Sequence, residues 1–111
     1  MDTVILFTSY GMGDGPPALQ QSLAGKFLSL LLESGDLPAR ILFYTDGVRL
    51  ACEGSPVIEA LQRLEAQGVT LVLCKTCLDT YGLVGKVAVG IVGGMGDILE
   101  SLQKAEKVIS L

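Results

Sequence analysis

The chain has no histidine. That removes the usual base of a cysteine–histidine pair and the commonest partner of cysteine in a zinc site. Cysteine itself is scarce: there are three among 111 residues, an odd count and too few for a disulfide scaffold. Free thiols of this kind suit a reducing cytoplasm, and a cytoplasmic protein is the expectation. Basic residues are few as well. The eight Lys and Arg are scattered and the formal net charge is −4, which argues against nucleic acid, whose phosphates call for clustered cations. No apolar run approaches the roughly 18 residues of a membrane helix. The start, Met1-Asp2-Thr3, is acidic and lacks the basic segment of a signal peptide.

What is present is apolar. Half of the residues are hydrophobic and only 18% are charged, and mean hydropathy is +0.53. The length suits one compact domain spanning residues 1–111 with a real core. So low a charged fraction implies apolar surface lying against another subunit, and a homo-oligomer is expected.

Strands and helices alternate along the chain. Val4 to Phe7, Ile41 to Tyr44, Val69 to Leu73 and Val87 to Val92 are continuous apolar runs, the pattern of strands covered on both faces, and Val108-Ile109-Ser110-Leu111 suits a short fifth strand. Leu19, Leu23, Phe27, Leu30 and Leu31 predict one face of a helix that begins at Pro16-Pro17 and stops at Gly35. Ser55-Pro56 predicts an N-cap and first helical position, with Gly68 as the stop. Cys74 to Tyr81 has room for two helical turns before Gly82, and Ile98, Leu99, Leu102 and Ala105 mark a last helix with Lys104 and Lys107 near its end. This alternation predicts an α/β fold, a parallel sheet with helices on both faces.

Sites in such folds form outside the carboxyl ends of the strands. Those ends lead to Thr8–Gly15, Thr45–Gly54, Cys74-Lys75-Thr76-Cys77 and Gly93–Asp97, so all three cysteines fall on one rim. The CxxC admits several readings. Its thiols are a redox pair, half of a zinc site short of ligands, a nucleophile lowered in pKa by a helix start and by Lys75, or small packed core residues. No metal site or cofactor is expected. Gly11-Met12-Gly13-Asp14-Gly15 is not the dinucleotide fingerprint and lacks the Lys-Ser or Lys-Thr of a P-loop. Asp14 would oppose a phosphate, and Gly13 leaves room over the site; both are candidate binding residues. Arg49 is a candidate to bind an anion or steady a thiolate, although a solvated or salt-bridged arginine is the commoner reading. Cys52 is a candidate second thiol, set against the commoner reading of a packed loop residue.

Three stretches together carry a resemblance: Gly11 to Gly15 with the helix after it, Phe43 to Ser55, and Leu73 to Leu83. In their order and spacing the chain resembles the DsrE/DsrF-like sulfur-relay proteins, most of all the DsrE-like domain at the C-terminus of YedF-type proteins, which are linked to selenium metabolism. The resemblance implies a three-layer α/β/α sandwich with a five-stranded parallel sheet, and assembly into homo-oligomers. It implies a sulfurtransferase-like carrier in which the cysteine ending the third strand, here Cys74, takes sulfur as a persulfide and passes it on. Cys77 would resolve that persulfide, while a non-catalytic ligand- or partner-binding module with structural thiols is the alternative. Relay members have arginine before the closing glycine, where this chain has Tyr81 before Gly82. YedF-type proteins carry a TusA-like domain ahead of the DsrE-like part. Here the chain opens on the DsrE-like part, so the donor is expected to be a separate, TusA-like protein, and the acceptor another.

Overall fold

A computed structural model describes residues 2–111. Five strands, β1 (Thr3–Phe7), β2 (Arg40–Phe43), β3 (Thr70–Cys74), β4 (Ile91–Gly93) and β5 (Lys107–Ser110), form one parallel sheet in the order β4-β3-β2-β1-β5. The central strands are the apolar runs, and nearly every side chain from Val4 to Phe7, Ile41 to Phe43 and Leu71 to Cys74 is buried. Such runs bury only if both faces are covered. Helices α1 (Pro17–Ser34) and α2 (Ile58–Ala66) touch each other. Phe27 and Leu31 of α1 lie over Thr3 and Ile5 of β1. Helix α4 (Met95–Lys104) lies beside Val4, Arg40 and Thr70, which point the other way. The result is the three-layer α/β/α sandwich.

Four details depart from the sequence reading. The predicted strand at Val87 to Val92 shrinks to Ile91–Gly93. Gly90 takes φ +85, and its α-carbon passes so close to β3 that an added Cβ would sit 2.8 Å from a Leu73 methyl. The chain enters the sheet only after that turn, and Val87 instead bridges Cys52. Ser55 does not start α2; its hydroxyl accepts the Val57 N–H at 3.2 Å, forming a turn ahead of the helix. Lys107 belongs to β5, leaving Lys104 as the cation of the last turn of α4, paired with Glu100 at 2.7 Å. In α1 the residues driven deepest are Ala24 and Leu28, while Leu19, Leu23 and Leu30 stay exposed. Apolar residues occupy more than one face of that helix, opposite a polar stripe of Ser22, Lys26, Ser29 and Glu33, so periodicity did not single out its inward face.

The register fixes the rim. Phe7, Phe43 and Leu73 stand side by side on β1, β2 and β3, and the rings of Phe7 and Phe43 stack with centroids 5.8 Å apart. The next residues of β1 and β2, Thr8 and Tyr44, leave the sheet together, while Cys74 beside them stays paired with Gly93 of β4.

Candidate functional site

Strand β3 runs one residue further than expected, so Cys74 is its last residue and pairs with Gly93 of β4. Its side chain belongs to the core and is 0% exposed. Helix α3 (Lys75–Tyr81) follows at once and closes on the left-handed Gly82. One helical turn beyond Cys74, Cys77 is half-buried at the rim. The two thiols thus divide between core and surface.

The partner of Cys77 comes from the segment after β2. A 3₁₀ turn, Thr45–Ala51, packs against α3. Its first residue, Thr45, donates its backbone N–H to Cys77 Sγ at 3.0 Å. Burial pushes the Cys77 thiol above its ordinary value. The Thr45 N–H pulls the other way, and the nearby Cys74 thiol pushes up again. The balance is upward, so Cys77 is held mainly as the neutral thiol at neutral pH.

Outside this pair lies a small polar cluster. The Arg49 guanidinium carbon sits 4.4 Å from the ring centroid of Tyr81, the residue one turn after Cys77 on α3. Arg49 Nε also reaches Asp46 Oδ1 at 3.2 Å. Burial raises the Tyr81 hydroxyl's pKa, Asp46 raises it further by hydrogen bond and charge, and Arg49 opposes them. A cation is therefore fixed beside the thiol segment by an aromatic face and a carboxylate.

Other candidates lie differently. Lys75 Nζ is turned to Asp79 Oδ2 at 2.8 Å, and that bond raises the pKa of its ammonium. Gly13 and Asp14 are exposed; the Gly13 carbonyl accepts from Gln20 Nε2 of α1 at 2.7 Å, and the Met12 N–H donates to the Gln20 carbonyl. Cys52 is buried at the end of the 3₁₀ turn. Burial raises its pKa, with Arg49 lowering and Glu53 raising it in turn. Among the described residues the three thiols are free, and no three Cys, Asp or Glu side chains converge as metal ligands do. No helix among them is long and apolar enough to cross a membrane.

Thr45 is the site residue that the sequence did not single out. The signal for it was slight: a threonine between a strand end and the turn-forming Asp46-Gly47. Tyr81 stood out only as a departure from a family pattern, yet it and Asp46 both join Arg49 at the site.

The fold has clear counterparts among solved structures. The ychN protein from E. coli is 24% identical with a TM-score of 0.74, matching 99% of this chain and 98% of its own. A protein of unknown function from Methanobacterium thermoautotrophicum, MTH1491, is 18% identical over the whole of both chains, with a TM-score of 0.68. Another of unknown function, BT1422 from Bacteroides thetaiotaomicron, is 17% identical, covers 99% of this chain and 95% of its own, and has a TM-score of 0.70. At such identities these likenesses speak for the fold alone. No curated protein matches the chain in sequence. Residues 3–111 match the DsrE/DsrF-like family, and the chain belongs to that family.

Proposed function

We propose that the chain is a sulfur-relay carrier whose Cys77 takes sulfur from a donor persulfide and whose Cys74 stands beneath it as the second thiol. Membership in the DsrE/DsrF-like family supports the relay. One observation carries the assignment of roles: Cys74 is wholly buried, whereas Cys77 is partly open at the rim and tied to the Thr45 amide. A donor meets Cys77 first.

Cys77 gives its proton to solvent and its thiolate attacks the outer sulfur of the donor persulfide. The donor's S–S bond breaks, the donor leaves as a thiolate, and Cys77 carries the new persulfide. An acceptor thiolate then takes the outer sulfur and Cys77 is restored. Alternatively Cys74, as thiolate, attacks the Cys77 sulfur, forming a Cys74–Cys77 disulfide and releasing hydrosulfide. Donor and acceptor are separate proteins in this reading, with a TusA-like protein as donor and a reducing cytoplasm as the setting. The exposed Leu19, Leu23 and Leu30 of α1 suit a homo-oligomer.

Peptide-resolved mass spectrometry after incubation with a persulfide donor tests this. A sulfur adduct on Cys77 that disappears in Cys77→Ser and persists in Cys74→Ser is expected. An adduct undiminished in Cys77→Ser but lost in Cys74→Ser moves the carrier to the strand end. No adduct on any thiol leaves a non-catalytic binding module, a reading that the upward-shifted Cys77 thiol also supports.

A further inference from the structure

We propose that Thr45 is the positioning residue for the Cys77 sulfur, its strained backbone aiming an amide at Sγ while its hydroxyl locks that strain in place. The proposal rests on Cys77 as the receiving thiol. Thr45 is the one non-glycine residue with positive φ among the described residues, at +48°. For a β-branched side chain this conformation costs roughly 1–2 kcal/mol, and glycine or asparagine would turn the chain there at less cost. The structure shows what holds threonine. Its Oγ1 lies 2.6 Å from the Thr8 carbonyl and 2.7 Å from the Tyr44 carbonyl, and its single proton, given to the shorter contact with Thr8, clamps the end of β2 to the end of β1. Two residues on, Gly47 lies so close to β1 that an added Cβ would fall 2.1 Å from the Phe7 carbonyl oxygen. The turn is thus pinned at both points, and the Thr45 N–H is left pointing at Cys77 Sγ, 3.0 Å away.

Strain kept at a rim, by contacts to a neighbouring strand, is the pattern of a functional constraint. An N–H donor stabilises a thiolate more than a thiol. It also fixes where the sulfur, and any outer sulfur it carries, points. The titratable groups that act on Cys77 are Cys74 and Tyr81 from its own segment, with Asp46 and Arg49 of the turn set against Tyr81; among the described residues none of these four donates an N–H to its sulfur.

The experiment is the pH–rate profile of Cys77 alkylation, resolved by peptide, alongside the melting temperature. It needs no sulfur donor, so it can fail while the relay stands, and the relay can fail while it holds. Thr45→Val removes the clamp and favours negative φ, swinging the amide away. The Cys77 pKa should rise by about one unit. At pH 8 its alkylation should slow about threefold, because the thiolate fraction falls about tenfold while each thiolate becomes about threefold more nucleophilic. Thr45→Ser keeps the clamp and should restore the parent profile. Thr45→Gly accepts positive φ and folds without strain; it should shift the profile in the same direction by less. Unchanged profiles in both Val and Gly variants, with only the melting temperature altered, overturn the proposal. So does a Ser variant that shifts as far as Val.

Discussion

Two loops leave neighbouring strands at the same rim, and they do different work. The loop after β1, Thr8 to Gly15, is glycine-rich and exposed from Gly13 on. Its Thr8 and Tyr10 bond to Leu111, Thr45 and Gly54, but its outer part, Met12 and Gly13, is tied among the described residues only to Gln20 at the start of α1. The segment after β2, Thr45 to Cys52, is wound into a 3₁₀ turn with Gly47, Val48, Leu50, Ala51 and Cys52 buried. Only the second touches the Cys77 sulfur. Glycine content alone is therefore a poor guide to a site. What decides is whether a loop's backbone is held against the core, so that a polar group can be aimed and kept aimed.

The sharpest way to break that comparison is to add one methyl group to each loop. Gly47→Ala places a Cβ against the Phe7 carbonyl oxygen at 2.1 Å, a contact that only backbone movement can relieve. It should cost about 3 kcal/mol or more in denaturant unfolding. Gly13 has open space around its Cβ position but sits at φ +77°, so Gly13→Ala should cost about 1 kcal/mol of conformational strain. Equal losses would mean that both loops are anchored alike.

The thiols offer a second contrast. Cys77 should be alkylated at least about tenfold faster than Cys74 in the folded protein, since reaction requires access. Its rate should still be climbing above pH 9, because burial has raised its pKa. The same shift ties stability to pH. The folded state holds the Cys77 and Cys52 protons more tightly than the unfolded chain does. Their contribution to stability is complete below the unfolded thiol's pKa, about 8.5, and is lost as pH rises through the folded values. Thermal melts from pH 7 upward should fall across that window, and less steeply in Cys77→Ser. A flat profile would contradict the burial of these thiols.

Much of this architecture is legible in the residues. Short continuous runs such as Ile41-Leu42-Phe43, set between helical periods, read as strands buried on both faces, and Gly35 and Gly82 stop their helices in left-handed conformations. The strand-end position of the CxxC follows from the same pattern. The division of labour within it does not. Which cysteine faces the core depended on β3 extending by one residue, and strand ends are set by pairing with Gly93 rather than by local preference. Thr45 was invisible for a related reason: its strain is imposed by Thr8 and Phe7, 37 residues or more away in sequence. Lys75 and Asp79, four apart on a helix, are neighbours by spacing alone, but the sequence could not show that Arg49 would rest on Tyr81.

Smaller effects should separate the charged residues of the two loops. Arg49 is held by a partly exposed ion pair and a ring face, which together are worth about 1 kcal/mol. Arg49→Ala should cost that much in stability, and the loss should shrink when Tyr81 is already leucine, since the two side chains share one interaction. Additive losses would show that the stacking contributes nothing measurable.

Asp14 marks the lower limit. It is exposed on the first loop, and the hydrogen bond that ties this loop to Gln20 uses the Gly13 carbonyl rather than the Asp14 carboxylate. Removing its charge disturbs no contact within the fold. Asp14→Asn should change stability by less than about 0.5 kcal/mol and leave the Cys77 alkylation profile where it was. A carboxylate also acts at a distance, through a field that salt screens over about 10 Å at 0.1 M. The profile should therefore be taken at low and at moderate ionic strength. If Asp14→Asn speeds Cys77 alkylation at low salt and not at high, the first loop reaches the thiol through its charge, and the two loops belong to one site. If it does nothing at either, the working rim ends at the segment after β2.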